Sequence, residues 1–282
     1  MKISRFICLT IIIIVIAILW FDESNAPTTL NQEQWDNGEE TIKLTIHPED
    51  VHKGNLVLVN QEYGIKENNV KNDLINLFEN QDLIADYGLL DKNIQLSKEV
   101  MVHFNAMVEA AKKDGATDFL ISSGYRGFKQ QKKLYQEMGK EFALPAGFSE
   151  HQLGISLDVG SSEGKMEKTD EGKWIAENAW NYGFILRYPK DKTAITGIEY
   201  EPWHIRYVGK PHSKIMHDKD YVLEEYLAFL KDKKNVEVLV DGIKYNISYY
   251  PIMKPKSVIV PTDYGYEISG DNFNGVIVTI HK

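Results

Sequence analysis

At 282 residues, with 43% hydrophobic and 26% charged residues, the chain has ordinary globular composition and the length for one large domain plus a smaller one. A formal net charge of -9 excludes a general nucleic-acid binder, because no basic excess exists to neutralise phosphates. The only cysteine, Cys8, lies in the N-terminal apolar run, so the rest of the chain has neither disulfides nor thiolate ligands available.

Phe6 to Phe21 is nearly unbroken apolar sequence, preceded by Lys2 and Arg5 and followed by Asp22 and Glu23. It reads as a signal anchor over 1–22, with the N-terminus in the cytoplasm and the rest of the chain outside the cell membrane. Ser24-Asn25-Ala26 resembles a small-residue cleavage site, but Pro27 directly after it favours an uncleaved anchor. Residues 23–53, polar and acidic, read as a tether. Leu56 to Val59 reads as a short strand opening a folded domain over 54–233, and Val70 to Leu90 as short helical pieces. Ser97 to Lys113 has the spacing of a helix, with Val100, Phe104, Met107, Val108 and Ala111 on one face and Gly115 beyond its end. Asp118 to Ser123 predicts a strand that delivers Gly124-Tyr125-Arg126, and Phe128 to Met138 a second helix. Arginine is scarce: only Arg5, Arg126, Arg187 and Arg206 occur, so each marks a place where a planar fork matters. Arg126 at a strand end is suited to a carboxylate or a developing oxyanion, whereas Arg187 and Arg206 read as structural ion pairs.

Ser149-Glu150-His151-Gln152-Leu153-Gly154-Ile155-Ser156-Leu157-Asp158 holds the chemistry. In a helix His151 and Asp158 would stand about 10 Å apart along the axis, and in an unbroken strand they would point to opposite faces. A turn at Gly154 lets them converge. Lys173 to Tyr182 then predicts a helix closed by Gly183, in which Trp174 and Trp180 are packing groups, and Phe184 to Tyr188 a strand. Glu201-Pro202-Trp203-His204 adds a third ligand and a base. Two imidazoles and a carboxylate, His151, His204 and Asp158, leave one position open and suit one catalytic Zn2+, with Glu201 placed to take a proton from water. His103 reads as a packing residue of its helix, and His47, His52, His212, His217 and His281 as surface residues. Asp220 to Lys231 is amphipathic, with Leu223, Tyr226, Leu227 and Leu230 inward. The alternation of Val236, Val238, Val240, of Ile243, Tyr245, Ile247 and of Val276, Val278, Ile280 then predicts a small all-β appendix over 234–282, packed on the catalytic domain. The element order reads as α+β: a small antiparallel sheet with flanking helices, plus that appendix. Nothing in it sets an oligomeric state.

SxHxxGxxxD followed by ExxH, with SGYR upstream, resembles the VanY- and VanX-type zinc D-alanyl-D-alanine peptidases. SGYRGFKQQ, LPAGFSEHQLGISLDVGSS, ENAWNYGFILRYP and YEPWHIRYVGKPH stand in family order, and the resemblance runs from about Gly54 to the C-terminus. It implies zinc on His151, Asp158 and His204, with Glu201 and Arg126 catalytic and Gln131, Ser149, Ser123 and Tyr188 as substrate contacts. It also implies a D,D-carboxypeptidase acting on peptidoglycan precursors that end in D-Ala-D-Ala, and hence resistance to glycopeptide antibiotics such as vancomycin. An L,D-carboxypeptidase on tetrapeptide stems and a non-catalytic wall-peptide binder are the alternatives. A binder has no use for the base, so Glu201 favours an enzyme.

Overall fold

The computed structural model describes residues 40–139 and 143–282, which fall in one compact unit. The run Phe6 to Phe21, the anchor read over 1–22 and the first part of the tether lie outside the described residues. Among the described residues no helix is long and apolar enough to cross a membrane.

In chain order, β1 (Thr41–Ile46), β2 (Leu74–Asn76), β3 (Gly88–Leu89) and β4 (Gln95–Ser97) lead into helix α1 (Lys98–Lys113). Strand β5 (Phe119–Ser123), helix α2 (Phe128–Met138), β6 (Ser156–Ser161), helix α3 (Asp170–Asn178), β7 (Phe184–Leu186) and β8 (His204–Tyr207) follow. Helices α4 (His212–Lys219) and α5 (Leu223–Lys233) precede β9 (Asn235–Val240), β10 (Ile243–Pro251), β11 (Lys256–Pro261), β12 (Gly265–Gly270) and β13 (Gly275–His281). Five strands form the sheet that carries the site, in the order β3-β5-β6-β8-β7, with β3 and β5 parallel and every other pair antiparallel. The fold is α+β, as its element order implies.

Helix α1 arises from apolar residues at helical spacing, with Glu99 in its first turn and Lys112 and Lys113 in its last, matching the helix dipole. Its buried Val100, Phe104, Met107 and Val108 lie in one core with Ile121, Leu157, Val159 and Ile205 of the sheet. Each large side chain buried there contributes about 1.5–3 kcal/mol. Phe104 also meets Tyr87 and Phe184 edge to face, at 5.1 and 6.2 Å between ring centroids.

The C-terminal strands form an antiparallel sheet in the order β12-β13-β10-β9. Asp241 and Gly242 both take positive φ, 52° and 79°, which suits the two-residue turn between β9 and β10 to the twist of the strands. The sheet is buried on two sides. Ile247, Tyr249 and Ile277 share a core with Tyr226 and Leu230 of α5, while Val276, Val278 and Ile280 share another with Ile46, Val51 and Val258.

Three expectations change. Val70 to Leu90, read as short helical pieces, holds one 3-10 turn, Phe78–Leu83, between strands β2 and β3. Leu56 to Val59 is buried but forms no strand; Val57 and Val59 join the core under α1, and Leu56 and Leu58 join the core under α5. Its backbone groups bond side chains in place of a ladder: Arg206 Nη2 donates to the Asn55 and Val57 carbonyls, Asn272 Nδ2 donates to the Leu58 carbonyl, and the Leu56 N–H donates to Ser269 Oγ. Residues 41–53, read as part of the tether, are built into the fold. Strand β1 pairs antiparallel with β11 from Thr41↔Pro261 to Ile46↔Lys256, and a 3-10 turn, Pro48–His52, buries Val51. Ile42, Leu44 and Ile46 alternate with polar residues, a strand signal that the polar average of the segment hides.

Candidate active site

Gly154 takes φ +83 and ψ 16, ending the 3-10 turn Glu150–Leu153 and sending the chain into β6. A Cβ there would meet only the movable end of Leu74, so it is the left-handed conformation that favours glycine. The turn brings His151 Nε2 to 3.3 Å from Asp158 Oδ2. Asp158 and His204 are direct partners across β6 and β8, and His204 Nδ1 stands 2.9 Å from Asp158 Oδ1. One donor atom from each of His151, Asp158 and His204 lies within 4.8 Å of the other two.

The hydrogen bonds behind the two imidazoles decide which nitrogen faces inward. His151 Nδ1 is 2.7 Å from the Gly124 carbonyl, which can only accept, so Nε2 turns its lone pair toward Asp158. Gly124 is required where it passes β4, since a Cβ on it would sit 2.3 Å from the Gln95 carbonyl. His204 Nε2 is 3.4 Å from Glu150 Oε2, which leaves Nδ1 for Asp158. A buried carboxylate thus fixes the tautomer of His204.

Glu150 is itself held. Its Oε1 accepts from Arg187 Nε at 2.8 Å and from Arg206 Nη1 at 2.7 Å, and Ser156 Oγ donates to its Oε2 at 3.2 Å. Arg187 passes its two other donors to Glu224, at 2.9 and 2.7 Å. Both arginines are 0% exposed, so their charges persist only because they are paired. Burial opposes ionisation of Glu150, but Arg206 and Arg187, with His204, hold its carboxyl well below the usual range. Burial likewise opposes ionisation of Asp158, and His151 and His204 overcome it. Burial alone would lower His204; hydrogen bonds to Asp158 and Glu150 push it up to about 9. The pull that favours a proton on this nitrogen favours a metal cation there equally. Two nitrogens and one carboxylate with a position left open are the donor set of a catalytic zinc.

A cleft of about 520 Å³ opens over these residues. Glu201 lines it: its N–H donates to the Tyr188 carbonyl at 3.1 Å, and its own carbonyl accepts from the His204 N–H at 3.2 Å, which folds Glu201 to His204 back as a turn. Burial raises the Glu201 carboxyl, and the nearby Asp158 and Glu150 add to the rise against His204. Arg126 lines the cleft with Nη1 on Gln131 Oε1 at 2.9 Å and Nη2 on Ser123 Oγ at 3.0 Å. Gln131 is 1% exposed and spends its amide N–H on the Leu144 carbonyl. Ser149 lies in the cleft wall just ahead of the 3-10 turn. Tyr188, also in the wall, stacks on His204 with ring centroids 5.0 Å apart. Ser123 is the one candidate found supporting Arg126 from outside the cleft lining.

Glu150 is the residue that sequence reasoning passed over. Its signal was the scarcity of arginine: Arg187 and Arg206, read as ion-pairing residues, required a buried carboxylate partner. His212, read as a surface histidine, is 2% exposed, with Nδ1 2.7 Å from Tyr226 Oη and Nε2 3.1 Å from Thr279 Oγ1. It lies where α4 meets α5 and β13, a burial that no spacing near it announces. Trp174 and Trp180 pack as expected, Trp174 donating to Asp114 and Trp180 stacking on the exposed His217.

Residues 93–210 match the family model described as VanY: D-alanyl-D-alanine carboxypeptidase. A D-alanyl-D-alanine carboxypeptidase of Enterococcus faecium is 57% identical over 248 residues, 88% of this chain and 82% of that one. The fold matches the vancomycin-resistance D,D-dipeptidase VanXYg, solved with a D-Ala-D-Ala phosphinate analog, with a TM-score of 0.75 and 29% identity over 86% of this chain and 100% of that one. It also matches the LdcB LD-carboxypeptidase, with a TM-score of 0.55 and 37% identity over 64% of this chain and 87% of that one.

Proposed function

The chain belongs to the VanY family of D-alanyl-D-alanine carboxypeptidases, and on that premise we propose that it is a zinc-dependent enzyme that removes the terminal D-Ala from peptidoglycan pentapeptide precursors. The observation that carries this reading is the convergence of His151, Asp158 and His204 in a cleft that also holds Glu201 and Arg126. Zinc on those three ligands would supply Lewis acidity, drawing the pKa of water toward about 7 and polarising the scissile carbonyl. Glu201 accepts the proton of the attacking water as its oxygen bonds to the carbonyl carbon. It returns that proton to the amine nitrogen as the C–N bond breaks, and the raised affinity of its carboxyl for protons suits both steps. Arg126, oriented by Ser123 and Gln131, offers its guanidinium to the terminal carboxylate or the developing oxyanion. Gln131, Ser149 and Tyr188 shape the wall against which the terminal dipeptide lies.

Removing that D-alanine destroys the dipeptide that vancomycin-type antibiotics grip, which makes the activity a resistance function. Such substrates occur outside the membrane. The apolar run Phe6 to Phe21, with Lys2 and Arg5 before it, supports an anchor that places the catalytic part there. The likeness to an LD-carboxypeptidase favours a second reading, cleavage of tetrapeptide stems. One assay separates them: the full chain, with and without chelator, is given a muramyl pentapeptide, a tetrapeptide and free D-Ala-D-Ala while D-alanine is followed. Chelator-sensitive release from the pentapeptide is the expected result. Release mainly from the tetrapeptide would move the enzyme to the L,D class, and zinc binding without release from any substrate would leave only a binding module.

A further inference from the structure

A second cavity, of about 500 Å³, adjoins the catalytic cleft, and the two share Gln61 and Gly197 in their walls. Gln61 Nε2 donates to the Gly197 carbonyl at 3.3 Å, forming a low saddle between them. Phe273, in the loop between β12 and β13, lines the second cavity and is 55% exposed. Tyr63 meets its ring edge to face at 5.7 Å, and Lys231 Nζ lies 4.7 Å from its centroid. Among the described residues Lys231 forms no ion pair, its charge resting against that ring.

The loop that displays Phe273 is tied down. Asp271 Oδ1 accepts from the N–H groups of Phe273, Asn274 and Gly275 at 2.7, 3.0 and 2.9 Å, and Asp271 Oδ2 accepts from Tyr249 Oη at 2.7 Å. Asn272 Nδ2 donates to the carbonyls of Leu58 and Gly64, fixing the loop to the segment that carries Gln61 and Tyr63. A half-open aromatic ring on a fixed loop, beside an unpaired cation, has the makeup of a ligand site: an apolar platform with a placed polar group.

Substrate direction supplies the occupant, and here the inference rests on the carboxypeptidase reading. A carboxypeptidase holds the C-terminus of its substrate at the reacting centre, so the rest of the stem must leave the cleft. Three further residues, at about 3.3–3.6 Å each, carry the chain roughly 10 Å outward. We propose that the stem crosses the Gln61–Gly197 saddle and that the second cavity binds its sugar-bearing end, an N-acylated amino sugar whose apolar ring face stacks on Phe273. Lys231 donates to the carbonyl oxygens flanking that sugar, those of its N-acyl group and of the amide that joins it to the stem. The C-terminal sheet thereby forms part of the substrate site through the loop that carries Phe273.

Two measurements test this. The kcat/KM values for a free pentapeptide and for its N-acetylmuramyl form are compared in the parent protein, in Phe273→Ala and in Phe273→Trp. The muramyl form is expected to lead by about tenfold, mostly through KM, the size of one aromatic anchor. The lead vanishes in Phe273→Ala and returns in Phe273→Trp. Equal rates for the two substrates, or a lead that survives Phe273→Ala, would overturn the assignment. Calorimetry with N-acetylmuramyl dipeptide, which carries no D-alanine, reads the cavity without catalysis: binding lost in Phe273→Ala supports the proposal, and no binding to the parent protein refutes it. Absence of release from every substrate would sink the carboxypeptidase reading alone, leaving the calorimetry to decide the cavity.

Discussion

His204 and His212 lie close in the chain and are almost equally hidden, at 3% and 2% exposure, yet their surroundings drive them in opposite directions. Around His204 the fold gathers Asp158 and Glu150 and backs Glu150 with Arg187 and Arg206, so that the imidazole is pushed up to about 9. Around His212 it offers only the neutral hydroxyls of Tyr226 and Thr279, and burial pulls the imidazole down to about 3. Depth is the same in both regions. What differs is whether the fold delivers countercharge to that depth: one region holds a cation in place, and the other glues helices to a sheet by excluding charge.

The sharpest test of the charged region removes Glu201, which lines the cleft but stands outside the cluster of Glu150, His151, Asp158 and His204. Glu201→Ala should cost about 10²–10⁴-fold in kcat while zinc stoichiometry and thermal stability stay near the parent values. Metal analysis beside the rate assay checks this, and parent-like activity would refute the role of the base. The neutral region should fail with acid. Because His212 has a folded value near 3 against about 6.5 unfolded, its contribution is complete above pH 6.5 and declines as pH falls, since only the unfolded chain then takes up the proton. Between pH 6.5 and 4.5, above the usual carboxylate range, this amounts to about 2–3 kcal/mol. Denaturant titrations across that window should show the loss in the parent and a flatter profile in His212→Gln.

A smaller effect distinguishes a positioning shell from mere stability. Glu150→Gln keeps the shape but weakens the acceptor that fixes His204 and leaves Arg206 without its carboxylate, so stability falls as well, and in the folded protein zinc affinity should drop about 10–100-fold. Competition with a chelating dye reads this directly, and unchanged affinity would reduce Glu150 to a packing role. Least of all, Tyr226→Phe removes one partner of His212 and should cost about 1–2 kcal/mol of stability with zinc affinity unaffected. A change in zinc affinity there would show that the two regions are not independent.

Much of the site is legible in the order of residues alone. The types and order of His151, Asp158, Glu201 and His204, and the glycine between the first two, name a metal hydrolase. The turn at Gly154 follows from the failure of helix and strand alike to bring His151 to Asp158. Helix α1, helix α2 and the Asp241-Gly242 hairpin are legible because their signals are local: the apolar period, the flanking residues and the turn dipeptide are all written within a few positions. The resemblance to VanY-type enzymes adds a role for Gln131 that spacing alone would not assign.

Other features depend on distant segments meeting. That Asp158 and His204 face each other across β6 and β8 is a matter of register, and that Glu150 joins Arg187, Arg206 and His204 is a matter of which chain segments share one interior. Leu56 to Val59 has strand composition but gives its carbonyls to Arg206 and Asn272, and residues 41–46 have tether composition yet pair with β11. Residue order dictated the chemistry on offer and the local elements, because side-chain type and short-range period are properties of the unfolded chain too. Which histidine sits among countercharges, which carboxylate backs His204 and which aromatic ring borders the cleft were settled by folding, because desolvation and countercharge exist only once distant segments are packed together.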